Sequence, residues 1–171
     1  LAGLVVLDAL LGFNLGREPA APFHAPTRPS GRAVFYAVRR EDAYLAAGQW
    51  LRSVAHPSAT VAAPEIGALG YASGLHVLDT VGLVSPQALR YYPLPQHMLE
   101  GDNAVPPGLV RDLKPDYVVS LESFVRRSIM KDPWFVSNYE IIADFGEVYP
   151  GNRLLVFRRM VEANRPQIPA Q

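Results

Sequence analysis

The stretch TVAAPEIGALGYASGLHVLDTVGLVSP, from Thr60 to Pro86, decides the fold. Its first apolar run, Thr60 to Ala63, meets a proline and then a glycine. A turn of small residues follows, and a second apolar run from Leu75 to Leu78 ends on Asp79. Short apolar runs bounded by proline and glycine are typical of buried strands. The stretch therefore predicts two buried strands joined by a very short helical crossover.

Three segments outside this stretch have helical patterns. Glu41 to Ala55 repeats apolar residues at the spacing of an amphipathic helix and carries acidic residues at its start. Pro107 to Leu113 suits a short helix with proline in its first turn. Glu122 to Met130 sets apolar residues among arginines and predicts a further helix, which Asp132-Pro133 ends.

The remaining apolar runs have strand patterns. Asp116 to Leu121 is a β-branched run suited to a central strand. Tyr139 to Phe145 and Arg153 to Arg159 are strand-like, and Pro150-Gly151 between them predicts a terminal hairpin. Arg32 to Val38 is either a strand or the lead-in to a helix.

Strands that alternate with short helices and close on a hairpin predict a single layered α/β domain over residues 32–160. We expect a mixed sheet that is parallel in its middle, with the closing antiparallel hairpin at one edge. The proline-containing tail, residues 161–171, is expected to be loosely ordered.

Residues 1–31 are predicted to form an apolar segment and a proline-rich connector. Leu1 to Leu15 is shorter than the roughly 20 residues of a full membrane span, and Asp8 interrupts it. It is either the stub of a transmembrane helix or a buried element of the fold, and we favour the second. Gly16 to Gly31 is rich in proline and predicts an extended connector. Because the chain begins at Leu1 rather than methionine, we expect a fragment of a longer protein.

Composition excludes several classes of function. The 171 residues carry 16 basic and 16 acidic side chains, so no excess of positive charge favours nucleic acid or anionic lipid. There is no cysteine for a disulfide, a thiolate nucleophile or a zinc site.

The glycines of the crossover do not follow the GxGxxG or Walker A spacing, and the four histidines are far apart. We predict no metal, no cofactor and no catalytic residue.

Acidic residues follow three of the predicted strands: Glu65, Asp79 and Glu122. Ligands of parallel sheets bind at the carboxyl ends of the strands, so these carboxylates could converge to hold sugar hydroxyls, a divalent cation or a proton in acid–base chemistry. The structural alternative makes Glu65 a helix cap and Asp79 a turn former, and it is favoured for each residue taken singly.

The long loop from Gln87 to Pro107 is the second candidate site. Tyr91, Tyr92 and His97 lie in it, and tyrosine rings beside polar groups are suited to stacking on sugars. A mobile surface flap is an equally good interpretation. With Tyr71 in the crossover, these residues and the three carboxylates make up the candidate substrate-binding set.

The stretch also resembles a known family. The segments Pro64 to Tyr71, Val77 to Asp79 and Val81 to Pro86 resemble the pattern that follows the last membrane span of many bacterial GT-C glycosyltransferases. Further segments match in the same order, and they are Trp50-Leu51-Arg52, Lys114 to Val119 and Leu154 to Arg159. Together they cover residues 41–160.

The resemblance implies a soluble domain on the extracytoplasmic face of a bacterial membrane, within an enzyme that uses polyprenyl-phosphate sugars. The family's acidic catalytic residues would be expected in the membrane part, so this domain would assist glycan or acceptor recognition and would be inactive alone. Its implied partners are a glycan or polyprenyl-linked sugar and the transmembrane part of its own parent chain. The alternative is an independent soluble α/β binding or interaction module with the same fold.

Overall fold

The computed structural model describes residues 33–34 and 40–160 of the chain. The predicted apolar segment, the proline-rich connector and the tail therefore lie outside the described residues. Within the described part there are six strands, four α-helices and several turns of 3-10 helix. None of the described helices is long and apolar enough to cross a membrane.

The elements follow one another with short connections. The strands are β1 (Ala33–Val34), β2 (Thr60–Ala63), β3 (His76–Asp79), β4 (Tyr117–Leu121), β5 (Tyr139–Tyr149) and β6 (Asn152–Arg159). The helices are α1 (Arg40–Val54), α2 (Gly67–Ser73), α3 (Pro107–Leu113) and α4 (Pro133–Asn138). The 3-10 turns are Pro86–Tyr91, Gln96–Met98, Glu122–Phe124 and Ile129–Lys131.

The strands form one mixed sheet in the order β1-β5-β6-β4-β2-β3. Strands β3, β2 and β4 are parallel, while β6 is antiparallel to both β4 and β5. The predicted α/β class, with a parallel region and a C-terminal hairpin, is confirmed. The short strand β1 pairs in parallel outside β5, so the hairpin lies inside the sheet and not at its edge.

Two apolar layers cover the sheet. On one face, Leu51 of α1 and Leu69 of α2 pack with Val61, Val119 and Phe145 of the strands. The two helices approach so closely at Gly48 that a Cβ there would lie 2.7 Å from the Ala72 Cβ. Any side chain at Gly48 would force α1 and α2 apart.

The opposite face carries α3 and α4. Leu109 and Val110 of α3 and Phe135 of α4 pack against Val118 and Phe157 of the sheet. The Phe135 ring meets the Phe157 ring edge to face, with centroids 5.3 Å apart. This layer anchors the long loop and the segment that leads into α4, which together bound the candidate site.

The helix predicted from Glu122 to Met130 is wrong. Two 3-10 turns take its place, and the backbone leaves the helical region at Ser128, with φ −110° and ψ −100°. The Ser128 hydroxyl donates to the carbonyl oxygen of Phe124 at 3.1 Å. This path buries Val125 and Ile129 completely, so packing against the sheet outweighs the helical spacing of the sequence.

Asp132-Pro133 begins a helix and does not simply end one. An Asp132 carboxylate oxygen accepts the Phe135 amide at 2.9 Å, and Pro133 occupies the first position of α4. Aspartate followed by proline is a strong helix start, because the side chain pairs a free amide and proline needs no donor. The sequence analysis interpreted this pair only as a stop and missed α4.

Candidate functional site

A cleft of about 930 Å³ lies between the long loop and the elements on the α3 and α4 face. The loop contributes Tyr91, His97 and several proline and apolar side chains. The opposite wall carries Arg111 of α3, together with Arg127 and Lys131 from the segment before α4. The cleft thus combines apolar walls with cationic groups, and it contains two of the residues that the sequence nominated.

Helix α3 is one of the elements that line the cleft. Its apolar residues Leu109 and Val110 are fully buried in the core, which leaves Gly108 and Arg111 on the cleft side. The Arg111 guanidinium donates to an Asp132 carboxylate oxygen at 2.6 Å. This ion pair connects α3 to the start of α4 beside the cleft.

Tyr91 stands where the loop meets α3. Its ring lies against Gly108, where a Cβ would come within 3.1 Å of the Tyr91 Cδ1 atom. Its hydroxyl donates to Asp112 at 2.8 Å, and the Arg90 guanidinium lies 4.8 Å from the ring centroid. These contacts hold the ring as one wall of the cleft, with Arg90 over one ring face and part of the side chain exposed.

His97 and Lys131 occupy the two sides of the cleft. His97 lies in the 3-10 turn Gln96–Met98 and is exposed. Lys131 ends the turn Ile129–Lys131, and its side chain is exposed. Because Ile129 is fully buried, the turn that carries Lys131 is anchored to the core.

Tyr92, the neighbour of Tyr91, has a different environment. Its hydroxyl donates toward the carbonyl oxygens of Thr80, at 3.0 Å, and Ala104, at 3.1 Å. Burial, and then the nearby charge of Asp79, raise the pKa of Tyr92 to about 12. Tyr92 therefore ties the loop to the end of β3 and does not line the cleft.

The geometry of Asp79 is that of a turn former. The residue is 1% exposed, and its two carboxylate oxygens accept the amides of Val81 at 2.9 Å and Val84 at 2.8 Å. The Ser85 hydroxyl completes the turn by accepting the Asp79 amide at 3.0 Å. Since both oxygens bind backbone, the structural alternative describes Asp79, and no oxygen faces a ligand.

Glu122 is engaged with the hairpin. Its carboxylate accepts the Arg153 amide at 3.1 Å, and the adjacent Ser123 amide donates to the Asn152 side chain at 3.0 Å. The Arg153 side chain pairs with buried Asp144 at 2.6 Å. The hydrogen bond to Asp144 raises the pKa of the Arg153 guanidinium. Glu122 thus fixes the start of β6.

Glu65 does not cap α2, because the helix has no side-chain cap. One of its oxygens pairs with Arg40 at 2.8 Å, in a small cleft of about 160 Å³ that Tyr44 also lines. Burial and the negative charge of Glu65 raise the pKa of Tyr44 well above its usual value. Tyr71 on α2 is 86% exposed and lines neither cleft.

The three carboxylates do not share a binding partner. Glu65, Asp79 and Glu122 each have a different partner: the Arg40 side chain, two loop amides and the Arg153 amide. Among the residues that the structure describes, no cluster of histidine, aspartate and glutamate could hold a metal ion. The candidate set therefore reduces to Tyr91 and His97 at the 930 Å³ cleft.

The sequence analysis missed the cationic wall of the cleft. Arg111, Arg127 and Lys131 are distant from the long loop in sequence, and turns that no local pattern predicts bring them to it. One usable signal was present, because Asp132-Pro133 marks a helix start. Had this pair been interpreted as a helix start, Lys131 would have been placed immediately before a helix.

Comparisons with known proteins place the chain in a family. No curated protein and no solved structure matches the chain. A family model does match, over residues 34–165, which is about three quarters of the 171 residues. This range includes nearly all of the sheet and every element that borders the cleft. The chain therefore belongs to the family described as a domain of unknown function, DUF8728.

Proposed function

We propose that this domain recognises a glycan or glycan acceptor as the extracytoplasmic part of a membrane glycosyltransferase-like protein. The cleft of about 930 Å³ carries the proposal, because Tyr91 forms one wall and polar groups surround it. Sugars present apolar C–H faces that stack on aromatic rings and hydroxyl groups that need hydrogen-bond partners. Attachment to a membrane enzyme rests on the sequence resemblance of residues 41–160.

The carboxylate in the lining of the cleft has structural partners. Among the described residues that line it, the only carboxylate is Asp132. One of its oxygens caps α4 through the Phe135 amide and the other binds Arg111. Neither oxygen is free to exchange a proton with a ligand, so general acid–base catalysis by this carboxylate is not supported.

A binding screen tests the proposal. The 171-residue chain is applied to a glycan array and to polyprenyl-phosphate sugars, and each hit is checked by thermal shift. A ligand at 100 times its Kd should stabilise the fold by about 2.7 kcal/mol. Hits that persist in a Tyr91→Ala variant, or no hits at all, would contradict the proposal.

A second candidate is an independent interaction module, and an exposed apolar loop favours it. Leu83 and Val84, in the loop after β3, are 83% and 64% exposed. Neighbouring exposed apolar side chains are a common feature of protein interfaces. The parent reading frame separates the candidates, since several apolar stretches of about 20 residues upstream of Leu1 would favour the membrane enzyme.

A further inference from the structure

The cleft has a charge that the whole chain lacks. Acidic and basic residues balance over the 171 residues, at 16 each. Among the described lining residues, however, Arg111, Arg127 and Lys131 face a single carboxylate, that of Asp132. The lining side chains taken alone therefore carry two more positive than negative charges.

The Arg111–Asp132 pair does not account for this excess. Asp132 uses one oxygen for the Phe135 amide, at 2.9 Å, and the other for Arg111, at 2.6 Å. The Arg111–Asp132 pair is neutral overall and connects α3 to the start of α4. The excess charge therefore belongs to Arg127 and Lys131.

Arg127 is only partly neutralised. Its nearest carboxylate, Glu100, lies 3.9 Å from its Nε atom and closer, at 3.3 Å, to Arg126. One carboxylate thus serves two guanidinium groups. An Arg127 nitrogen also donates to the Leu99 carbonyl oxygen at 3.2 Å, which orients the guanidinium against the loop. Net positive charge remains on this wall.

Lys131 has no ion-pair partner within residues 33–34 and 40–160, and its side chain is exposed. Its backbone is fixed, since the Lys131 amide donates to the Ser128 carbonyl oxygen at 3.0 Å and buried Ile129 anchors the turn. An unpaired ammonium on a fixed backbone beside a cleft is suited to bind a compact anion.

We infer that the cleft selects a saccharide bearing a compact anion, a phosphate or a carboxylate, with Lys131 and Arg127 holding the charged group. The inference rests on the proposed glycan recognition and names the class of ligand. The sugar ring would stack on Tyr91 and the prolines of the loop, while the anion would lie toward Lys131. A hydrogen bond to a charged group strengthens binding by about 10- to 100-fold.

Matched sugars test the inference with the full 171-residue chain. The probes are glucose, mannose and galactose, with the 6-phosphate and the uronate of each, titrated by calorimetry at low and high salt. At least one acidic probe should bind about tenfold or more tighter than its neutral parent. The advantage should shrink at high salt, because a partly exposed ion pair is screened. The phosphate and uronate arms distinguish the two sources of the anion.

A charge-matched pair of variants locates the anion. Lys131→Met keeps most of the side-chain length and should remove most of the preference for the acidic probe. Arg52→Met removes an exposed charge from α1, on the opposite face of the sheet, and should leave binding unchanged. Thermal melts of both variants confirm that each is folded.

Three outcomes would overturn the inference: equal affinity for acidic and neutral probes, an unchanged preference in Lys131→Met, or no binding of any acidic probe. Equal affinity together with sensitivity to Tyr91→Ala would leave glycan recognition standing. Inorganic phosphate is titrated as a further probe, and its binding through Lys131 without binding of any sugar would support an anion site and contradict glycan recognition.

Discussion

The carboxyl edge of the parallel strands and the cleft differ in what their charged side chains bind. At the strand edge, both Asp79 oxygens and one Glu122 oxygen accept backbone amides of neighbouring segments. At the cleft, Lys131 has no such partner among the described residues, and Arg127 shares a carboxylate with Arg126. Residue type alone favoured the acidic edge, whereas the availability of the charged atoms favours the cleft.

The largest expected effect is at Asp79. Replacing it with alanine leaves the amides of Val81 and Val84 without acceptors, and we expect a loss of about 2 to 5 kcal/mol in the free energy of unfolding. Asp79→Asn keeps one acceptor oxygen and should lose less. Urea unfolding measures both variants.

The control for Asp79 is Asp102→Ala, which alters an exposed loop carboxylate and should stay within about 0.5 kcal/mol of the parent. Ligand binding by Asp79→Asn should match that of the parent chain. If Asp79→Asn has full stability but no longer binds glycan, Asp79 belongs to the binding site, and the strand edge rather than the cleft holds the ligand.

The second effect concerns Tyr91 and binding. Tyr91→Ala removes the aromatic wall, so glycan affinity should fall about tenfold. The free energy of unfolding should fall by only about 1 kcal/mol, because the ring is half-buried and its hydroxyl bonds to exposed Asp112. Calorimetric titration and urea unfolding separate the two quantities.

Tyr71→Ala is the matched control for Tyr91, since it removes a ring of the same kind that is 86% exposed and outside the cleft. Its affinity and stability should both equal those of the parent. Weaker binding in Tyr71→Ala and unchanged binding in Tyr91→Ala would move the site to α2.

The sequence predicted the fold better than the site, for a physical reason. The patterns over 60–63, 107–113 and 153–159 are local, and strands and helices with those bounds or close to them are present. The path from Glu122 to Pro133 depends on burial of Val125 and Ile129 against distant strands. No local spacing encodes that burial.

The candidate residues divide along the same line. Tyr91 and His97 were found because a long polar loop is visible in the sequence, and both line the cleft. Tyr92, with the same side chain, proved to be a tie between Thr80 and Ala104, each 12 residues away. Which tyrosine lines the cleft and which one ties the loop to its neighbours depends on tertiary contacts, and the sequence treats the two alike.

The third effect is the pH dependence of Tyr92. Tyrosine ordinarily has a pKa of about 10, and in the folded chain that of Tyr92 is about 12. Its contribution to stability is fully present below pH 10. Between these values the unfolded chain loses the phenol proton while the folded chain keeps it, so stability falls as the pH rises.

Tyr92→Phe should cost about 1 kcal/mol at pH 8 through the lost hydrogen bonds and should flatten the decline above pH 10. Some decline should remain, since burial also raises the pKa of Tyr44 and Tyr139. Urea unfolding at several pH values measures it. An alkaline slope as steep as that of the parent would show that Tyr92 is not held between the two carbonyls.

The smallest effect is at Gly108, where a substitution shifts the Tyr91 ring without removing it. An alanine Cβ would lie 3.1 Å from the Tyr91 Cδ1 atom, so the ring must shift by a few tenths of an ångström. The better helix propensity of alanine, worth about 1 kcal/mol, should offset the crowding and leave stability nearly unchanged. Glycan affinity should fall about two- to threefold, because stacking depends on the ring position.

Gly67→Ala is the matched control, since it also lies in the first turn of a short helix and its Cβ would meet no atom within 4 Å. If Gly108→Ala and Gly67→Ala bind glycan equally well, the Tyr91 ring is not the wall that the ligand contacts.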